Sequence, residues 1–182
     1  MLFKYQYLAT AALLRTVEHV KTVEFYRGQD RPDQRGNVRT QTAVYLTFPD
    51  VNLDDLSGGT QEGEMQMDVI VVSSSVYTDD KLVNPPAGQI DHFDLCASIH
   101  RALDNFQPLL SSITGMEALA GTDQDYMVWQ SLRRDSAGQR QTGKGLVRTD
   151  MSYVGRVEDY SAVPDTLTQS NTDIVIGELA LQ

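Results

Sequence analysis

Glu64-Met-Gln-Met-Asp-Val-Ile-Val-Val-Ser73 decides the architecture. Met65, Met67, Val69 and Val71 share one face of a strand. Gln66 and Asp68 begin the other face, and Ile70 and Val72 then make it apolar too. A strand that starts half-exposed and ends buried on both sides belongs in the middle of a sheet. Asn84-Pro-Pro-Ala-Gly88 breaks the chain after it. Gln89 to Gln107 then reads as an amphipathic helix with a stripe of Ile90, Phe93, Ala97, Ile99, Leu103 and Phe106. Pro108 closes it.

Working outward, residues 2–19 carry Leu2, Tyr5, Leu8, Ala9, Ala12, Leu13 and Val17 at helical spacing, which predicts a first helix. Val20 to Arg27 alternates and predicts a short strand with Val23 and Phe25 on one face. Thr42 to Phe48 predicts a second strand with Val44, Leu46 and Phe48 together, ended by Pro49. Asp50 to Gly63 reads as a connection rich in Asp and Gly. Leu109 to Ala120 fits a short strand or a helical turn. Asp125 to Arg134 reads as a strand with Tyr126, Val128 and Gln130 on one face and Met127, Trp129 and Ser131 on the other. Leu146 to Val157 is another strand, with Val147, Thr149, Met151, Tyr153 and Gly155 aligned. Residues 135–145 between them read as a long, exposed, mobile hairpin tip.

The order is helix, three strands, helix, two strands, tail. It predicts an α+β fold: an antiparallel or mixed β-sheet, two amphipathic helices packed on one face, long hairpin loops and a C-terminal extension. The connections permit antiparallel pairing, and the second sheet face is expected to be partly open. Residues 1–160 form the expected core domain. Residues 161–182 are a polar linker followed by the apolar run Asp173-Ile-Val-Ile-Gly-Glu-Leu-Ala-Leu181. Such a tail adds a strand to its own sheet or docks on a neighbour.

The chain has 182 residues, enough to bury about 70% of its unfolded surface. Its formal charge of −10 argues against general nucleic-acid binding and against adhesion to anionic membranes. No stretch is long and apolar enough for a signal peptide or a membrane span, so the expected compartment is a cytoplasm. Cys96 is the single cysteine. Beside the buried stripe of a helix, it reads as a structural thiol rather than a nucleophile.

Motifs that suggest chemistry each lack a required part. Gly138-Gln-Arg-Gln-Thr-Gly-Lys-Gly145 matches G-x-x-x-x-G-K, but Gly145 replaces the Ser or Thr that holds magnesium, and a strand follows rather than a helix. Asp91, His92, Asp94, His100 and Asp104 cluster on the second helix without H-x-x-x-H or H-E-x-x-H spacing, and read as a solvated face. Asp79-Asp80 and Asp123-Gln-Asp125 have no EF-hand continuation and read as turns. Ser73-Ser-Ser75 has no G-x-S-x-G elbow. No catalytic residue, cofactor or metal site is expected.

The succession of an N-terminal helix, the Tyr45-Leu-Thr-Phe-Pro49 strand, a long apolar strand, the Phe93-Asp-Leu-Cys-Ala-Ser-Ile-His-Arg-Ala-Leu103 helix and a strand pair ending in Val154-Gly-Arg-Val157 resembles the tail-terminator (tail-completion) proteins of long-tailed bacteriophages. The resemblance covers residues 1–160 and is one of pattern and length. It implies a structural, non-enzymatic virion protein, assembled in the host cytoplasm. Its subunits would form a homo-oligomeric ring, a hexamer, that caps the tail tube and joins it to neck or head-connector proteins. DNA would pass through without specific binding. The alternatives are another neck or baseplate adaptor, or a small metal- or ligand-binding enzyme.

Charge pattern adds an interface expectation. Arg27, Arg31, Arg35, Arg39, Arg133, Arg134, Arg140 and Lys144 lie mostly in or beside two predicted loops, the breaker-rich Gly28 to Thr40 and residues 135–145. Gathered on one side of a subunit, they would meet an acidic side of the next copy and leave an acidic lumen.

Overall fold

The computed structural model describes residues 2–29, 42–55, 61–73, 90–123, 125–142 and 146–158. The first helix, α1, spans Leu2–Thr16 and holds neither Gly nor Pro. Arg15 in its last turn suits the negative end of the helix dipole. His19, at φ 68, takes the left-handed conformation just after it. Strands β1 (Thr22–Phe25), β2 (Ala43–Thr47), β3 (Val51–Asp55) and β4 (Gln61–Ser73) follow. The second helix, α2, spans His92–Leu103. Two 3-10 turns, Leu110–Ser112 and Glu117–Leu119, lead to β5 (Gln130–Thr142) and β6 (Leu146–Glu158).

The sheet runs β1-β2-β4-β6-β5, with β3 also on β4. It is a mixed, open sheet in an α+β fold. The long strand β4 is central, as its two apolar faces require. On one side it pairs antiparallel with β6 from Glu62↔Glu158 to Ser73↔Val147. On the other, β2 covers residues 68–72 and β3 covers residues 61–65. These two short strands act as one interrupted strand. Pro49 cannot donate to a ladder, and the Gln66 N–H bridges the break to the Asp50 carbonyl at 2.9 Å.

Three expectations are corrected here. Asp50 to Gly63 is not a simple connection: Val51, Asn52, Leu53, Asp54 and Asp55 form β3, and half-buried Val51 and Leu53 pack against the core. The β1–β2 pair is parallel, which makes the sheet mixed, one of the two arrangements expected; the chain between the two strands is long enough for the crossover this needs. Residues 135–142 are not loop; they continue the β5–β6 ladder as far as Thr142↔Leu146, with residues 135–139 exposed as expected. The segment 125–129 lies before β5, and its Val128 and Trp129 are both buried, which breaks the expected alternation.

Both helices lie on one face. Tyr5, Ala9 and Leu14 of α1 and Leu95, Ile99 and Leu103 of α2 share a core with Val44, Leu46, Met65, Met67, Val69, Val71, Met151, Tyr153 and Val157. The stripe of α2 differs from the expected one: Phe93 and Ala97 are exposed, and the buried residues are His92, Leu95, Ile99 and Leu103. Asp91 sets this phase. Its carboxylate accepts the N–H groups of Phe93 at 2.6 Å and Asp94 at 3.0 Å as the N-cap, a contact of about 1 kcal/mol. The opposite face is partly open, as expected, with Gln66, Asp68, Ser152 and Val154 only half-buried. Ala43, Tyr45, Ile70 and Val72 are buried there with Tyr26 packed against them. Arg148 lies over the Tyr26 ring at 5.2 Å, donates to its hydroxyl at 3.0 Å and forks onto Asp150 at 2.5 and 3.0 Å.

Candidate functional site

A buried polar cluster surrounds His92. The first turn of α2 pushes this side chain between the ends of β4 and β6. Its Nδ1 lies 2.9 Å from Ser73 Oγ and its Nε2 lies 2.7 Å from Thr149 Oγ1. Cys96 Sγ, one helical turn on, lies 3.6 Å from the same Nε2. Ser73 and His92 are 2% and 1% exposed, so the expected solvated face is wrong at this residue. Burial lowers the His92 pKa, partly offset by Asp91. Burial also pushes the Cys96 thiol up to about 11, against the Thr149 hydrogen bond and helped by Asp91. The imidazole is therefore held neutral and the sulfur held as a thiol. A nucleophile paired with this base needs access and a developing charge that the surroundings accept. The cluster supplies neither, and the His92 ring spends both nitrogens on hydroxyls.

The other residues of the expected helix cluster separate. His100 Nδ1 turns to the Tyr153 hydroxyl at 3.2 Å rather than to Asp104, which closes α2 and is exposed. Burial raises the Tyr153 pKa, against the nearby Arg134. Asp125 holds a turn, accepting from Ser111 N and Oγ at 2.9 Å each. Among the described residues no group of three or more His, Cys, Asp or Glu side chains is arranged to hold a metal. No described helix is long and apolar enough to cross a membrane. Gly138 of the G-x-x-x-x-G-K stretch sits in β5 opposite Asp150, so that stretch does not open a helix.

The sheet edges are built differently. At β1, Tyr26 N–H bonds inward to the Leu46 carbonyl at 2.8 Å. The alternate carbonyls of Val23 and Phe25 therefore face outward. Arg15 Nη2 reaches the first at 3.5 Å and Gln29 Nε2 the second at 2.7 Å. Both outward acceptors are occupied by side chains. At β5 the register slips by one residue between Gln130 and Arg133 and again between Arg134 and Ser136. Ser131 has φ 54 at the first slip. Bulges and charges of this kind deter pairing of a foreign strand with an edge. They also aim the exposed Arg133 and Arg134 differently. Arg133 crosses β6 to Glu64 at 3.6 Å, and Arg156 beside it pairs with Glu62.

Of the expected interface residues, the structure describes Arg27, Arg133 and Arg134, and the backbone of Arg140. Arg27 follows β1 and Arg133 and Arg134 lie on β5, at opposite edges of the sheet. The backbone of Arg140 pairs with Arg148 in the ladder. Arg31, Arg35, Arg39, Lys144, Asp79, Asp80 and the 161–182 tail lie outside the described residues.

An aromatic cluster and a groove flank α1. Phe3, Phe25 and Tyr7 pack around Phe48, with Phe3–Phe48 at 5.9 Å, Tyr7–Phe25 at 6.1 Å and Phe25–Phe48 at 6.4 Å. Phe48 in turn stacks on Trp129 at 6.4 Å. Phe3 and Phe25 remain 45% and 42% exposed at the outer end of this chain of rings. The groove, about 900 Å³, lies between α1 and residues 106–117. Sequence reading missed both, because each joins residues distant in the chain.

No protein-family model matches this chain. No curated protein matches it either. Among solved structures, a chain from the virion of a native gene transfer agent (GTA) particle matches with 16% identity and a TM-score of 0.41, over 85% of this chain and 91% of that chain.

Proposed function

We propose that this chain is a structural subunit of a phage-like virion and acts as a tail terminator. Six copies would form a ring that caps the tail tube and joins it to the neck or head. The observation that carries the reading is the order of elements. The succession behind the resemblance to tail terminators recurs as α1, β2, β4, α2 and the β5–β6 pair, in one sheet with both helices on one face.

At β1 and β5 the surfaces favour assembly through side chains rather than through added strands. The β1 edge is protected by Arg15 and Gln29 and the β5 edge by bulges and arginines, whereas β3 pairs only with β4 among the described strands. A closed ring uses heterologous contacts, one surface against a different surface of the next copy. Cations on opposite edges and an exposed aromatic cluster beside α1 provide unlike surfaces on one subunit. With a formal charge of −10 the ring would present an acidic lumen and let DNA slide without sticking. Incubation with growing tail tubes is the test. The reading expects the protein at tube ends, with elongation halted there. Continued elongation with no protein at the ends would remove it.

A further inference from the structure

The groove between α1 and residues 106–117 has Leu8, Ala12, Leu13, Phe106, Ile113 and Met116 on its walls. Lys4, Arg15 and Glu117 line it too, so its charged side chains are of both signs. The Glu117 carboxylate accepts the Gly115 N–H at 2.9 Å and keeps its negative charge, its pKa lowered by backbone hydrogen bonds. A lining of mixed sign makes no demand for an occupant of one charge. The walls select apolar surface, and Met116, Lys4 and Arg15 favour aromatic rings within that class. A methionine sulfur suits the edge of a ring, and a Lys or Arg cation suits its face.

The molecule carries such rings on the other flank of α1. Phe3 and Phe25 are exposed, and both pack on Phe48, which is stacked on buried Trp129. Rings anchored in this way are held in place before they meet a partner, so little freedom is lost on burial. Phe3 stands about 140° around the α1 axis from Leu8 of the groove. The rings are therefore turned away from the groove of their own subunit, whereas a second copy can bring its rings there. We propose that the groove beside α1 receives Phe3 and Phe25 of a second copy of this chain, head to tail. Each subunit then offers its rings to one neighbour and its groove to another, the heterologous contact that a closed ring repeats. This inference rests on the ring reading above and names the contact at its centre. Aromatic anchors seated in a pocket carry most of the binding energy of an interface.

Mixing two variants tests it. Phe3→Ser with Phe25→Ser removes the rings and keeps the groove. Ala12→Trp, at an exposed position of α1, fills the groove and keeps the rings. Light scattering gives the mass of the parent, of each variant and of their equimolar mixture, free and with tail tubes. Urea unfolding checks that each variant is folded; Ala12→Trp leaves the Phe48 cluster untouched and carries the test if the double Ser variant does not fold. The parent should assemble beyond one copy, and each variant alone should associate about tenfold or more weakly. The mixture should regain a pair and stop there, because one intact contact of rings with groove remains. A folded variant that assembles like the parent would overturn this contact and leave the ring reading standing. A mixture of folded variants that stays at subunit mass would overturn the pairing of rings with groove. A parent at subunit mass under every condition would overturn both.

Discussion

The indole ring of Trp129 occupies the space that a side chain at position 155 would need. A Cβ on Gly155 would stand 2.6 Å from Trp129 Cε3 and 2.9 Å from Leu132 Cδ1. Both neighbours are fully buried, and the indole N–H is fixed to Thr10 Oγ1 at 3.0 Å. The ring has nowhere to go. Gly155 thus lets β6 pass beneath the residue that ties β5 to α1.

Gly155→Ala should therefore destabilise the fold by about 1–3 kcal/mol, the usual range for overpacking a close-packed core. The midpoint of urea unfolding should fall with little change in slope. An unchanged midpoint would mean that the indole can move aside.

Cys96 should be slow to modify. A thiol pushed up to about 11 from an ordinary 9.0 has about a hundredfold smaller thiolate fraction near neutral pH. Alkylation at pH 8 should be about a hundredfold slower in the folded protein than in the urea-unfolded chain. Equal rates would place Cys96 in an open, reactive setting.

His92 gives the fold a pH dependence of defined sign. Burial lowers its folded pKa below 6.5, while the unfolded imidazole titrates near 6.5. As pH falls through that value the unfolded chain binds the proton first. The stability from the neutral imidazole is complete above about 6.5 and drains below it, by at most about 1.4 kcal/mol per pH unit, until the folded pKa is reached. Unfolding midpoints at pH 7.5 and 5.5 should converge more for His92→Gln than for the parent protein. A parent protein whose pH dependence matches that of the variant would contradict this.

The apolar pattern of β4 placed the centre of the sheet, because both its faces are read by the same side chains that bury them. β2 and β6 were legible for the same reason. What was missed turns on buried polar residues that bond to partners distant in the chain. Gln6 donates to the Val128 carbonyl at 3.2 Å, Thr10 accepts from Trp129, and His92 joins Ser73 to Thr149. A count of apolar spacing passes over all three, and so chose Ala12 in α1 and Phe93 in α2 as buried when both are exposed. β3 carries Val51 and Leu53 among three polar residues, and only pairing with β4 makes it a strand. The two bulges of β5 have no local signature, yet they decide where Arg133 and Arg134 point. The strand order, which reading along the chain does not give, puts Arg27 and the Arg133–Arg134 pair at opposite edges of the sheet.

The ring is the central claim, and its mass in solution tests it most directly. Light scattering across a salt series, with and without tail tubes, should find a species of six times the 20.3 kDa subunit mass, free or at tube ends. Its population should fall as salt screens the exposed Arg133 and Arg134 and other rim charges. A mass of 20.3 kDa at every salt concentration, with no association with tube ends, would contradict it.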